Sequence, residues 1–135
     1  MDGVILTPLK KIRHPKGDIF HAIKRTDPGF NGFGEAYFST VNQGDTKGWK
    51  NHKIMTLNII VPVGEVEFVI YNKKTKEFFN ISLSTNNYQR LTVSPGLWVA
   101  FRGKGANNLL LNLASIEHDP DETIAIEIDK IKYEW

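Results

Sequence analysis

Apolar and polar positions alternate along much of this chain. In "GEVEFVIYN", residues 64–72, Val66, Phe68 and Ile70 share one face while Glu65, Glu67 and Tyr71 share the other. That period of two marks a half-buried strand. "FFNISLS" repeats it, with Phe79, Ile81 and Leu83 against Asn80, Ser82 and Ser84. The polar "NKKTKE" between them has the composition of a hairpin turn, so two adjacent antiparallel strands are predicted. "YQRLTV", "LWVAFR", "NNLLLNLAS" and "TIAIEIDKI" are further strand candidates, separated by Pro95-Gly96, "GKGANN" and "EHDPDE". Strands at roughly ten-residue spacing, with no long helical stretch, predict an all-β sandwich or barrel. A jelly roll, two antiparallel sheets forming an open-mouthed barrel, is the first expectation, and an immunoglobulin-like sandwich the second.

The first part of the chain reads differently. "VILTPLKKI" is extended, "HPKGD" turns, "IFHAIKR" is a candidate strand, and "DPGFNGFGEAYFSTV" is glycine-rich and then β-like. Prolines and glycines here argue against a helix. One domain is expected over 1–135, because 135 residues form a single core but not two ordinary domains. Within it, 1–35 are read as an N-terminal arm and edge strands, and 36–135 as the barrel core. Such an arm packs on a neighbouring subunit or closes its own barrel, and a homodimer is expected.

"KGWKNHK", residues 47–53, sets Lys47, Lys50, Lys53 and His52 around Trp49 just before the apolar "MTLNIIV". It reads as a polar loop leading into a buried strand. If the segment is extended, Lys47, Trp49 and Asn51 share one face and Lys50 and His52 the other, so Lys47 and His52 need a bend to converge. Trp49 is either core or a stacking platform for a base or sugar.

Charge and composition narrow the partners. The formal net charge is only +2, with acidic and basic residues interspersed. Nothing resembles the single-sign field of non-specific nucleic-acid binding, so no nucleic-acid partner is expected. The absence of cysteine excludes disulfides, thiolate metal sites and cysteine nucleophiles. No stretch approaches the roughly 18 uncharged apolar residues needed to cross a bilayer, so a soluble, cytoplasmic protein without a membrane partner is expected.

Longer stretches carry a resemblance. "FGEAYFSTVNQGDTKGWKNHKIMTLNIIVPVGEVEFVIYN", then "LSTNNYQRLTVSPGLWVAF", then "NLASIEHDPDE" and the closing "YEW" resemble the dTDP-4-dehydrorhamnose 3,5-epimerase-like sugar cupins. The parts come in the family's order: a loop ending in histidine, a strand-glycine-strand unit, an "LS..N" strand, a proline-glycine turn before a strand ending in Phe101, and an acidic loop. The resemblance implies a cupin-type double-stranded β-helix (jelly roll), dimeric. It also implies an epimerase or isomerase acting on a nucleotide-linked 4-keto-deoxysugar, dTDP-linked, in polysaccharide or surface-glycan biosynthesis.

Epimerisation beside a ketone removes a carbon-bound proton, stabilises the enolate oxygen and returns a proton, which takes a base, an electrostatic stabiliser and an acid. The resemblance matches His52 to the family's histidine base, and the ordinary pKa of a histidine suits that work. Lys47, Lys50 and Lys53 are candidates to bind the diphosphate or to lie near the enolate oxygen, Lys47 first among them, an ammonium being a compact donor to anionic oxygens; the alternative is a solvated flank. In the acidic loop, His118, Asp119 and Glu122 are candidates, and one carboxylate there would hold the histidine in its tautomer. The alternative is an ordinary turn around Pro120. Arg102 and Asn112 are polar residues on apolar strands, which either point into the barrel mouth or occupy exposed strand positions; with Trp49, Lys50, Asp119 and Tyr71 they are the candidates for binding the substrate. The chain departs from the epimerase pattern where Leu111 stands for the tyrosine acid, Val99 for a second histidine and Leu57 for a lysine. A single-site epimerase or keto-isomerase remains, with water, Tyr71 or Tyr37 as proton donor. The alternative is a non-catalytic carbohydrate or nucleotide-sugar binding cupin. His52 and His118 are fewer imidazoles than a typical cupin metal site uses, so no metal and no other cofactor is expected.

Overall fold

A computed structural model describes residues 1–135. Twelve strands follow one another: β1 (Val4–Pro8), β2 (Lys11–Ile12), β3 (Ile19–Phe20), β4 (Glu35–Thr40), β5 (Thr46–His52), β6 (Leu57–Val63), β7 (Glu65–Asn72), β8 (Glu77–Ser84), β9 (Gln89–Val93), β10 (Trp98–Gly103), β11 (Leu109–Ala114) and β12 (Thr123–Ala125). Short 3-10 turns at Pro120–Glu122 and Ile128–Lys130 are the only helical pieces. Two five-stranded sheets, ordered β1-β9-β6-β11-β4 and β12-β5-β10-β7-β8, pair antiparallel throughout and build the expected cupin jelly roll.

The period-two faces explain the core. Val66, Phe68 and Ile70 point inward from β7 and meet Leu57, Ile59 and Val61 of β6, Leu91 and Val93 of β9, and Leu110 of β11, all buried. Burial of whole aliphatic and aromatic side chains stabilises such a core by about 1.5–3 kcal/mol each. A smaller apolar cluster lies on the outer side of the second sheet, where Trp49, Val69, Trp98 and Ala100 are covered by Ile126, Ile128, Ile131, Tyr133 and Trp135.

Two elements differ from the sequence expectation. The "KGWKNHK" segment is β5 and not a loop, hydrogen-bonded between β10 and β12, because the burial of Trp49 and Asn51 anchors it despite its lysines. "TIAIEIDKI" yields only the three-residue β12. Beyond it the chain crosses the outer face of the second sheet, where the Trp49 Nε1–H donates to the Ile128 carbonyl at 3.0 Å. Of the first 35 residues, β1 pairs in register with β9 of its own chain, from Val4 opposite Val93 to Pro8 opposite Gln89. β2 and β3 form a separate hairpin around "HPKGD". The buried guanidinium of Arg90 donates to the carbonyls of Ala22 and Pro28, fastening the next segment over the first sheet.

Candidate active site

A cavity of about 200 Å3 opens between the two sheets. Tyr37 and Ser39 reach it from β4, Leu57 and Ile59 from β6, and Leu110 and Asn112 from β11. The facing sheet supplies Lys47, Gly48, Lys50 and His52 from β5, with Val99 and Phe101 from β10. An apolar floor with a few converging polar groups is the usual composition of a small-molecule site.

A bulge determines which side chains of β5 face this cavity. Opposite β10, Lys50 pairs with Val99 and Lys47 with Phe101, so Gly48 and Trp49 together oppose Ala100. The extra residue shifts the alternation by one. Lys47 therefore joins Lys50 and His52 on the inner side, while Trp49 and Asn51 turn outward. Gly48 has φ +142°, and a Cβ there would lie 2.5 Å from the Ala100 Cβ, so a side chain is excluded.

His52 is half-buried at the inner end of β5. Its Nδ1 is 2.5 Å from Glu122 Oε1. Glu122, 3% exposed, sits in the 3-10 turn whose start Asp119 caps by accepting from the Asp121 amide. The Glu122 carboxylate also accepts from the Ile54 and Met55 amides at 3.0 and 3.2 Å and from the Thr123 hydroxyl at 2.8 Å. Burial pushes its pKa up, but the hydrogen bonds from His52, Ile54, Thr123 and Met55 outweigh that and hold it down to about 2. An ionised carboxylate only accepts, so Nδ1 of His52 carries the donated proton and a neutral ring keeps its lone pair on Nε2. This is the geometry of a general base with an orienting anion behind it.

Two further polar groups are fixed. The Lys47 ammonium donates to the Thr40 carbonyl at 2.6 Å, tying β5 to the edge strand of the other sheet. Asn112 Oδ1 accepts from the Asn58 amide at 3.1 Å, which sets the amide's orientation, and its Nδ2 donates to the Tyr37 oxygen at 3.0 Å. That bond leaves the phenolic hydrogen of Tyr37 free to be donated elsewhere.

The fold thus brings His52, Glu122, Lys47, Lys50 and Asn112 to one place, together with Tyr37, one of the two candidate tyrosine donors. It takes the other candidates elsewhere. Trp49 is fully buried under the C-terminal segment, because the bulge turns it outward, and stacks on no ligand from the cavity. Tyr71 lies on the outer face of β7, its ring 4.5 Å from that of Phe78. Arg102 follows inward-facing Phe101 and so points away from the cavity. His118 is exposed in the loop, and Asp119 is occupied as the cap of the turn. Leu111 faces outward between the buried Leu110 and Asn112, so the inward position on that strand is held by Asn112 and not by the leucine. Ser39 escaped the sequence reading, although its spacing of two from Tyr37 in β4 places both on one face. No group of three His, Asp or Glu side chains is arranged to hold a metal ion.

Residues 2–131 match the model of one family, FdtA, described as WxcM-like, C-terminal. No curated protein sequence matches the chain. Among solved structures it is similar to a dTDP sugar isomerase from Desulfovibrio desulfuricans G20, at 30% identity and TM-score 0.90 over 95% of this chain and 86% of that one. The 3,4-ketoisomerase QdtA from Thermoanaerobacterium thermosaccharolyticum, solved with TDP, is similar at 24% identity and TM-score 0.81, over 92% of this chain and 88% of that one. The dTDP-6-deoxy-D-glucose-3,5-epimerase RmlC from Legionella pneumophila Philadelphia 1 is similar at 16% identity and TM-score 0.83, over 95% and 74%. At their identities the last two speak for the fold alone. The family match and these neighbours agree with the resemblance read from the sequence.

Proposed function

The chain belongs to the FdtA family, WxcM-like, C-terminal, and from that premise we propose that it is an isomerase of a nucleotide-linked 4-keto-deoxysugar, dTDP-linked as in its 30% identical relative. The observation that carries this reading is the His52–Glu122 pair, closed at 2.5 Å, at the wall of a cavity with an apolar floor.

In this reading His52 Nε2 takes the proton from the carbon next to the ketone, and the electron pair of that C–H bond moves onto the carbonyl oxygen. Glu122 stays ionised behind Nδ1 and stabilises the imidazolium that forms. The Lys47 ammonium stabilises the enolate oxygen, and Tyr37 gives that oxygen its phenolic proton to form an enediol. The tyrosinate then takes the proton of the hydroxyl on the carbon that lost its hydrogen, which becomes the new ketone as the old carbonyl carbon is protonated. The protonated His52 then returns a proton to carbon. One base suffices to take a proton from one carbon and deliver it to its neighbour, which moves the ketone along the ring. Inverting a carbon requires a dedicated acid on the opposite face of the ring, and Leu111 stands where the resemblance expects the epimerases' tyrosine acid, turned away from the cavity. Migration of the ketone is therefore favoured over epimerisation. The sugar occupies the cavity, and the diphosphate lies at its mouth beside Lys50.

The same reading includes a homodimer and a place in cytoplasmic polysaccharide or surface-glycan biosynthesis. Edge strand β4, with Phe38 66% exposed and Phe33 64% exposed just before it, supports the dimer. No helix is long and apolar enough to cross a membrane.

The test is solvent deuterium incorporation into a panel of dTDP-linked 4-keto-6-deoxyhexoses. Incorporation is expected, and His52→Asn should lower it about 10²- to 10⁴-fold, the usual contribution of a general base. Exchange that persists unchanged in His52→Asn would reject the assignment. Tight binding of these sugars with no exchange would point instead to a binding cupin.

A further inference from the structure

Away from the His52 cavity, the outer side of the second sheet carries a cleft of about 390 Å3 between the β7–β8 hairpin and the C-terminal segment. Lys73 and Lys76 reach it from the hairpin turn, and Lys130 and Lys132 from the C-terminal segment, over a floor that includes Phe78 and Trp98. No carboxylate lines it. None of the four lysines takes part in any of the chain's ion pairs, which join Arg13 to Asp18, His52 to Glu122, Arg90 to Asp27 and Lys104 to Glu67.

Asp129 and Glu134 share the next depression with Lys132 but do not enter this cleft, which the four lysines line without an acidic neighbour. These converge from two distant parts of the sequence into one concavity, in a chain whose basic and acidic residues nearly balance at 17 and 15. The hairpin turn is also firmly built. Asn72 accepts from the Lys74 amide at 2.9 Å through its side chain and from the Lys76 amide at 2.7 Å through its carbonyl. Lys76 occupies the left-handed backbone region at φ +60°, where glycine or asparagine is favoured, so its charge is carried at a backbone position that suits other residues. Four like charges held in one cleft repel, and a multiply charged anion relieves that repulsion.

We propose that this cleft is a second anion site, which takes a phosphorylated small molecule whose phosphate oxygens lie among Lys73, Lys76, Lys130 and Lys132. An ammonium is a compact donor for phosphate oxygens, and the aromatic floor offers a surface for a nucleobase. The site is independent of the proton-transfer chemistry proposed for His52.

Calorimetric titration of the full chain with ADP and with inorganic pyrophosphate, at about 50 mM salt to limit screening, tests the site. Binding of at least one probe is expected, with Lys76→Gln/Lys132→Gln weakening it about tenfold or more as two charged contacts are removed. Lys76→Arg/Lys132→Arg should retain it, and deuterium exchange into the keto-sugar should be the same in all three proteins. ADP binding more tightly than pyrophosphate identifies a nucleotide ligand, whereas equal affinities identify a site for phosphate alone. No heat with either probe at millimolar concentration, or an affinity unchanged in Lys76→Gln/Lys132→Gln, overturns the proposal.

Discussion

The two faces of β5 are made by the same seven residues and are covered by different things. The inner face presents Lys47, Lys50 and His52 to an open cavity, and its polar groups are held at their far ends by Thr40 and Glu122. The outer face buries Trp49 completely beneath residues 126–135, where its amide and carbonyl pair with Ile126 at 3.0 Å each. One face stores stability and the other holds chemical groups at an open edge. A strand that does both needs its alternation set by something stronger than periodicity, and the bulge at Gly48–Trp49 sets it.

The largest effect should come from the covered face. Trp49→Ala removes a fully buried indole and its hydrogen bond to Ile128, and should destabilise the fold by about 4 kcal/mol in a denaturant titration. The folded fraction should still exchange deuterium at the wild-type rate. A Trp49→Ala protein of undiminished stability, or one whose folded molecules exchange slowly, breaks the division between the faces. Gly48→Val attacks the bulge that separates them. Its Cβ would meet Ala100 at 2.5 Å from a backbone at φ +142°, so a loss of about 3 kcal/mol is expected. Exchange should fall as well, because Lys47 would no longer share the face of His52.

The sequence made some of this legible and hid the rest for physical reasons. β7 and β8 were plain because Val66, Phe68 and Ile70, then Phe79, Ile81 and Leu83, keep an unbroken period of two. β5 was hidden because two lysines and a glycine among its seven residues, with Lys53 next to them, read as a loop, and a bulge defeats any test of alternation. The need for Lys47 and His52 to converge was visible, but its solution depends on how β5 pairs with β10. His52 and Glu122 stand 70 residues apart, so no local spacing joins them. Only the order of parts along the chain suggested that an acidic loop closes behind the histidine, and it left His118, Asp119 and Glu122 undistinguished. The choice rests on burial: Asp119 spends its side chain on capping the turn, and Glu122 alone is turned inward.

Glu122→Gln tests whether the open face works through that hidden anion. The substitution keeps the shape and removes the charge. The single glutamine oxygen is claimed by the Ile54 and Met55 amides, so the NH2 faces Nδ1 of His52, which loses the acceptor that fixes its tautomer and the anion that stabilises its cation. Exchange should drop about a hundredfold, roughly 2.7 kcal/mol. Acid stability gives a second measurement. Because the pKa of Glu122 is about 2 in the folded chain against an ordinary 4.5, its contribution is fully present above pH 4.5. That contribution is lost as pH falls toward 2. Glu122→Gln should flatten this part of the stability curve. Unaltered slopes between pH 4.5 and 2 would mean that the carboxylate is not held as the geometry implies.

The smallest effect is the most discriminating, because it concerns the direction of one hydrogen bond. Asn112 accepts from the Asn58 amide and donates to the Tyr37 oxygen, so Tyr37 points its own hydrogen at whatever fills the cavity. Asn112→Asp keeps the acceptor for Asn58 but turns the Tyr37 contact around, since a carboxylate draws the phenolic hydrogen to itself. Turnover should fall about tenfold, or 1.4 kcal/mol, with the apparent affinity for the sugar little changed. Asn112→Leu leaves the Asn58 amide without its partner and should lower stability by about 1–3 kcal/mol. It should slow turnover less than Asn112→Asp does, because Tyr37 keeps its hydrogen. If the two substitutions slow the reaction equally, Asn112 acts through packing and the direction of its bond to Tyr37 is immaterial. If only the aspartate does, the strand that carries no acidic residue of its own still decides where the proton goes.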